Sequence, residues 1–533
     1  MCGIFIIATK NGIFLKEQME LILSNFKKLS KRGPDNYSLT LYSNCIIGFQ
    51  RLAINDITNN GMQPFQYGDT FTICNGEIYN YDELSINHPV FSPKSLSDCE
   101  ILPYLFNTYT FEESLTMLDG VFAICHLTKN KIYLARDRLG VKPIFYGEND
   151  NFFVAASEAK ALDNLIEDIH QLEPSTIMEI CLQTYSKTYN SYTSIPTFPT
   201  FPTFPTNYSY EESVDMIKNL LIKSVQKRMT SDREIGCLLS GGLDSSIISS
   251  ILSKEMKKVG KTLHTFSVGF PDSADIIYAR QVAAYIGSEH HEYIIQYEDA
   301  LERIEDVIIA TETHDTTSIR ASTPMFLLCE WINKNFPHKV IFSGEGSDEL
   351  FCGYLYFHKA PTPNDAHEDS IRLLRELYQY DVLRADRCTA GNGLELREPF
   401  LDKNLIDFVA TMNPSYKVPR EHEHVLYEKE ILRSAFSGDN YLPDNMTYLP
   451  DNILWRRKAA FSDAVSSSQK PWYKWIQEYA KEKGKTESEY YKNLFYKNFS
   501  SYRFNAPLWL PRWSDVGEEP SATVLDVYKK EEH

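Results

Sequence analysis

Ser240-Gly241-Gly242-Leu243-Asp244-Ser245-Ser246 is the stretch on which the reading of this chain turns. The apolar run before it, Ile235 to Leu239, has the length and composition of a buried strand. After it, Ile247, Ile248, Ile251, Leu252 and Met256 recur at the three-to-four spacing of an amphipathic helix. A strand, a glycine-rich turn and a helix together aim backbone N–H groups at an anion. Gly241 and Gly242 let the backbone approach a phosphate closely, and Ser240, Ser245 and Ser246 add hydroxyl donors. Asp244 is the informative residue. A carboxylate beside a phosphate is repulsive unless a divalent cation lies between them, so the loop implies Mg²⁺. The alternative makes Asp244 or Ser245 a helix N-cap and the glycines an ordinary turn.

No lysine follows the glycines, so this is not the GxxxxGK[ST] loop. It resembles instead the pyrophosphate-binding loop of ATP pyrophosphatase domains, which activate a carboxylate by transferring AMP to it.

At 533 residues the chain exceeds one ordinary core and is expected to form two to four domains. With 54 Lys and Arg against 72 Asp and Glu, its net charge of −18 argues against a nucleic-acid or membrane-surface role. No apolar run is long enough for a transmembrane helix, and Met1 to Ala8 lacks the basic start of a signal peptide. Ten scattered cysteines without a CxxC fit reduced thiols in a cytoplasmic protein. His290-His291 and His422/His424 lack metal-motif spacing and read as structural.

Residues 1 to about 190 alternate short strands with few helices. Gly3 to Ala8, Ile46 to Phe49, Phe71 to Cys74, Val121 to Leu127 and Lys131 to Ala135 read as strands. Met19, Ile22, Phe26 and Leu29 mark a helix face, and Arg32-Gly33-Pro34-Asp35 a turn. Packed antiparallel sheets with helices outside suit this pattern. Residues 196–206 repeat Pro-Thr-Phe; proline at every third position predicts an extended spacer. A proline-motif docking site, or phenylalanines packed on a domain face, are the alternatives. From about 210 strands and helices alternate (Leu263 to Phe270, Ile276 to Ile286, Val340 to Phe342), which predicts a parallel sheet with helices on both faces. Beyond about 365 the strand signals fade and helical ones take over. The expected domains are 2–190, a 191–209 linker, and 210–533.

Met1-Cys2-Gly3 opens the second argument. Removal of Met1 would leave Cys2 as the first residue, its own α-amino group serving as base for its thiol. Taken singly, Met-Cys is unremarkable, Asn75-Gly76 is a hairpin turn, and Arg51 and Asp98 are solvated charges. Yet Arg51-Leu52-Ala53-Ile54-Asn55-Asp56, Asn75-Gly76-Glu77-Ile78-Tyr79-Asn80 and Ser97-Asp98-Cys99-Glu100 stand together. With Arg32 to Asp35, Leu118 to Ala123 and Ala135 to Pro143, they resemble, in order over residues 2–160, the class II glutamine amidotransferase domain, an N-terminal-nucleophile hydrolase. The resemblance implies that Cys2 attacks the glutamine amide while the Asn75 side chain and Gly76 N–H form the oxyanion hole. It further implies that Arg51 holds the α-carboxylate, Asp98 with Glu77 the α-ammonium, and Leu52, Ala53, Ile54 and Asn55 the rest of the glutamine pocket.

Ser343-Gly344-Glu345-Gly346-Ser347-Asp348-Glu349 is a second glycine-rich acidic loop after a strand; acidic residues complementing a helix N-terminus are the plainer reading. Paired with residues 240–246 it resembles the synthetase domain of glutamine-hydrolysing asparagine synthetases. The likeness continues through Phe266 to Gly269, Ile319 to Pro324, Glu395 to Asp402 and Trp455 to Lys458. It implies a fold with an N-terminal αββα sandwich and a C-terminal doubly wound parallel sheet carrying an added helical region. Leu238, Val268, Ser343 and Gly344 would surround the adenosine of ATP, and residues 240–246 would hold the pyrophosphate. Asp244 and Asp348 would bind Mg²⁺, Lys458 the α-phosphate, and Glu345 would serve the β-aspartyl-AMP step. Lys458 as one solvated charge of an Arg-Arg-Lys run is the alternative, and Arg397 is a weaker candidate for aspartate. The implied reaction joins L-aspartate and L-glutamine with ATP, and a homodimer is compatible with it. A related ligase acting on another carboxylate, or a non-catalytic relative, remains as the rival; the latter should have lost Cys2, Asp244 or Glu345, and all are present.

Overall fold

The first strand, β1 (Gly3–Thr9), is Gly-Ile-Phe-Ile-Ile-Ala-Thr and buried at every position. The reason is its central place. Ile4, Ile6 and Ala8 face a second sheet, while Phe5 and Ile7 pack on Ile22 and Phe26 of the helix Lys16–Lys27. The computed structural model describes residues 1–195, 208–438, 447–458, 465–466, 470–499 and 507–513; the Pro-Thr-Phe repeat lies outside them. After β1 come β2 (Asn36–Tyr42), β3 (Cys45–Arg51), β4 (Phe65–Tyr67), β5 (Thr70–Ile78), β6 (Gly120–Leu127) and β7 (Lys131–Arg136). They are followed by β8 (Phe145–Glu148), β9 (Phe152–Ala156), β10 (His170–Gln171), β11 (Thr176–Cys181) and β12 (Lys187–Ser191). Two six-stranded sheets result, ordered β10-β8-β9-β1-β3-β2 and β12-β11-β7-β6-β5-β4, with antiparallel pairing throughout. Leu102 and Leu105 of the helix Leu102–Thr108 cover the outer face of the second sheet, against Cys74 and Ile124. The layers are therefore helix, sheet, sheet, helix, the expected αββα sandwich.

The second half is built on a five-stranded sheet, β15-β14-β13-β16-β17, in which every pairing is parallel. Its strands are β13 (Ile235–Leu238), β14 (His264–Gly269), β15 (Glu289–Ile294), β16 (Val340–Phe342) and β17 (Glu395–Arg397). Helices cover both faces. Leu243–Lys258 and Ala274–Ile286 pack with Cys237 and Phe342 on one side, and Thr316–Asn335 with Phe266, Ile341 and Leu396 on the other. The chain runs outward from β13 to β15 and then returns to β16 on β13's other flank. That makes the carboxyl end of β13, where residues 240–246 begin, a topological switch point where such sheets bind ligands.

Two strands of this parallel sheet escape the sequence reading. β15 is too charged to show an apolar run, and β17 is three residues long in a region where strand signals fade. Both are added at the sheet edges by pairing, which local pattern does not report. Leu29 lies just past the first helix, and Asn75-Gly76 sits inside β5 rather than in a hairpin turn. No helix among the described residues is long and apolar enough to cross a membrane.

Candidate active sites

β1 and β5 belong to facing sheets, and their register brings Cys2 against Asn75. The backbone N–H of Cys2 donates to Asn75 Oδ1 at 2.8 Å. The other half of that amide is the informative one: Asn75 Nδ2 is buried and has no hydrogen-bond partner. An unpaired buried donor costs about 1–3 kcal/mol, and one aimed beside a nucleophile is what an oxyanion hole requires. Gly76 has to be glycine, since a Cβ there would sit 2.1 Å from the Val121 carbonyl oxygen. Burial pushes the Cys2 thiol up to about 11, and its Sγ lies 3.6 Å from the Leu52 carbonyl.

The expected glutamine pocket gathers around this pair. Asn55 Nδ2 donates to Glu77 Oε2 at 2.7 Å and to Asp98 Oδ1 at 3.3 Å. Asp98 also accepts from the Ile78 N–H at 2.6 Å. Burial raises both carboxyls, Glu77 strongly, so the pair favours a cationic group between them. Ala53 is pinned by its N–H to Asp35 and its carbonyl to Arg233, and Ile54 by its carbonyl to the Asp232 N–H. Arg51 is buried with its guanidinium on the carbonyls of Asp56 and Thr58.

Arg397 is where sequence and structure part. It is fully buried and absent from the walls of the cavity described below. Its guanidinium donates to Glu395 and to the carbonyls of Arg228 and Thr230, and it forms an ion pair with Glu77 at 3.2 Å. β17 thus reaches across from the parallel sheet to hold a carboxylate of the Cys2 site. Met1 is buried at the same junction, with its terminal amine 3.3 Å from Glu395.

Beyond β13 the loops Ser240–Ser246 and Ser343–Glu349 open on a cavity of about 320 Å³, within the usual range for small-ligand sites. The loops touch: a Cβ on Gly344 would lie 2.8 Å from the Ser245 nitrogen. Leu238, Ser240, Gly242, Asp244, Ser245, Val268, Ser343, Gly344, Glu345, Asp348 and Lys458 all line the cavity. Gly241 and Ser246 do not reach its wall. Gly241 holds the turn at φ 74° with a backbone of the helix Ala274–Ile286 against it, and Ser246 is fully buried.

Asp244 and Asp348 converge on one point. Lys429 Nζ lies 2.7 Å from Asp244 Oδ2 and 2.6 Å from Asp348 Oδ1, and Lys458 Nζ lies 2.8 Å from both oxygens of Asp348. Burial alone would raise Asp348, but the two ammonium groups outweigh it and hold the carboxyl far below its ordinary range. Two carboxylates that share one cation at these distances fit Mg²⁺, which prefers one or two carboxylates plus phosphate oxygens. Glu345 is raised by burial against the pull of Arg384, whose Nη2 lies 2.8 Å away and also pairs with Asp381. Lys429, Arg384 and Asp381 were not legible in the sequence, where each reads as one more charge on a helix or loop. Arg320, also on the wall, is clamped by Glu487 at 2.5 Å.

A half-buried thiol beside an unpaired amide donor, and an acidic double loop at the switch point of a parallel sheet, define the class of glutamine-dependent amide ligases that adenylate a carboxylate. The glutamine amidotransferase domain model matches residues 1–204, and the asparagine synthase model matches residues 216–377 and 360–502. Curated relatives include glutamine-hydrolysing asparagine synthetases of Gallus gallus (38% identical), Bos taurus (37%) and Homo sapiens (36%). Each alignment covers 99% of this chain and 99% of the relative. The chain belongs to the glutamine-hydrolysing asparagine synthetase family.

Proposed function

We propose that the protein makes L-asparagine from L-aspartate, with L-glutamine as nitrogen donor and ATP cleaved to AMP and pyrophosphate. The observation that carries this reading is the unpaired Asn75 Nδ2 beside Cys2 on the same chain as the Asp244–Asp348–Glu345 cavity. Once Met1 is removed, the α-amino group of Cys2 stands where its N–H now meets Asn75. It takes the thiol proton that burial otherwise holds in place. Asn75 Nδ2 and the Gly76 N–H receive the developing oxyanion, while Asp98 and Glu77 hold the glutamine ammonium and Arg51 its carboxylate.

In the second site Ser240 to Ser246 hold the pyrophosphate, and Leu238, Val268, Ser343 and Gly344 the adenosine. Asp244 and Asp348 are the residues that would hold Mg²⁺, which neutralises phosphate charge when bound. Lys458 and Lys429 also line the cavity, where their ammonium charge suits phosphate oxygens. Glu345, kept above its ordinary range, suits proton transfer from ammonia attacking β-aspartyl-AMP. Ammonia is protonated in bulk water near neutral pH, so a dry route between the sites is required. For the aspartate carboxylate, Arg384 on the cavity wall replaces Arg397.

We take residues 2–190 as the glutaminase unit, 191–209 as a connector and 210–533 as the synthetase unit. Ten cysteines without a disulfide support a reducing, cytoplasmic compartment. A homodimer is open to test by light scattering. The deciding assay is asparagine and pyrophosphate formation with aspartate, ATP and either glutamine or ammonium. Product from another carboxylate but not from aspartate would replace this reading.

A further inference from the structure

We propose that His264, Glu289 and His291 form a zinc-type metal site on the edge of the parallel sheet, separate from the nucleotide cavity. His264 on β14 pairs in register with Glu289 on β15, and His291 follows Glu289 by two residues. Directly opposed and i, i+2 positions share one face of a sheet, so three potential ligands from two strands are brought together. One ligand atom from each lies within 4.8 Å of the others. His291 Nε2 lies 3.0 Å from His264 Nδ1 and 3.5 Å from Glu289 Oε1, while Glu289 Oε2 lies 3.5 Å from the other ring nitrogen of His264, Nε2. Ligand atoms around tetrahedral zinc, at about 2.0–2.1 Å from the metal, are about 3.3 Å from one another. The two pairs that share His291 Nε2 are therefore already near that spacing.

Two imidazoles and one carboxylate are a borderline donor set suited to Zn²⁺, with a fourth position left for water. Access is available: the Glu289 side chain is 58% exposed and that of His291 18%. The neighbouring His290 gives a contrast. It faces the other side of the strand, and both its ring nitrogens are bonded to hydroxyls of β14. A second observation points to the same place: His338, only 3% exposed, packs its ring 4.5 Å from that of His264, and its Nδ1 has no hydrogen-bond partner.

The test is titration of the metal-stripped full chain with Zn²⁺ alone, by calorimetry, and with Co²⁺, followed by its visible absorption. One saturable Zn²⁺ per chain is expected, with a tetrahedral Co²⁺ spectrum. His264→Gln and His291→Gln should each weaken binding by at least the about 10–100-fold that loss of a supporting group costs a metal site. Glu289→Gln, a change at an exposed position with no effect on folding, should weaken it as well. Zn²⁺ also binds thiols, so the variants decide: equal affinity in wild type and all three variants would place the ion elsewhere and overturn the proposal. Absence of saturable binding in the wild type would overturn it too. Neither result bears on asparagine synthesis, which is assayed separately.

Discussion

Replacing Asn75 by alanine removes two halves of one amide that act in opposite directions on folding. Asn75 Oδ1 accepts from Cys2 at 2.8 Å, a bond contributing about 1 kcal/mol. The lost side-chain volume in a fully buried position costs about 1 kcal/mol more. Against this, the substitution deletes a buried donor with no partner, relieving about 1–3 kcal/mol. The sum lies near zero, so the melting temperature should move by no more than about 3 °C. Catalysis should behave differently. Loss of one oxyanion-hole donor lowers kcat by about 10²–10³, and the fall should appear in glutamine hydrolysis and in glutamine-dependent asparagine formation. Synthesis from ammonium salt should stay at the wild-type rate. The assay is parallel measurement of glutamate, asparagine and pyrophosphate, with thermal melting on the same samples. Glutamine hydrolysis within threefold of wild type would refute the role of Nδ2, as would an equal loss of the ammonium reaction.

Cys2→Ala should abolish glutamine hydrolysis and spare ammonium-dependent synthesis, and intact-mass measurement of the active wild type should show a chain beginning at Cys2; full activity with Met1 attached would defeat the amine as base. Lys429→Met leaves Asp244 and Asp348 facing one another without their shared ammonium, so it should lower the melting temperature, and Mg²⁺ should restore part of the loss; a melt unmoved by Mg²⁺ would count against a metal position there. Burial raises Glu345 above an ordinary glutamate, so its base form is lost as pH falls, starting at a higher pH than usual. At fixed free ammonia the synthesis rate should decline accordingly, and Glu345→Gln should be inactive with either nitrogen source. Arg397→Lys should raise the KM for glutamine through its contact with Glu77 and leave the KM for aspartate unchanged in the ammonium reaction, the reverse of what an aspartate-binding arginine would show.

The sequence alone determined what is local. The strand, glycine turn and helix around residues 240–246 are adjacent in the chain, and their apolar spacing and glycines report directly on backbone geometry. The same holds for Val340–Phe342 with its acidic loop, and for β1, whose unbroken apolar run marks a strand buried on both faces. Cys2 and Asn75 became candidates only through the motifs shared with the amidotransferase domain, and Asp244 and Glu345 through their glycine-rich acidic loops.

What the tertiary structure decided is what depends on pairing across long separations. Arg397 looked like a substrate arginine until β17 joined the sheet edge and turned its guanidinium onto Glu77, 320 residues earlier in number. Lys429 carries no motif, yet it is the cation that Asp244 and Asp348 share. His291 stands two residues from Glu289, but its partner His264 lies on another strand, and only parallel register sets them side by side. Side-chain direction along a strand is fixed by sequence parity, whereas the identity of the neighbouring strand is fixed by burial and hydrogen bonding of the whole sheet. Local pattern does not contain that second fact.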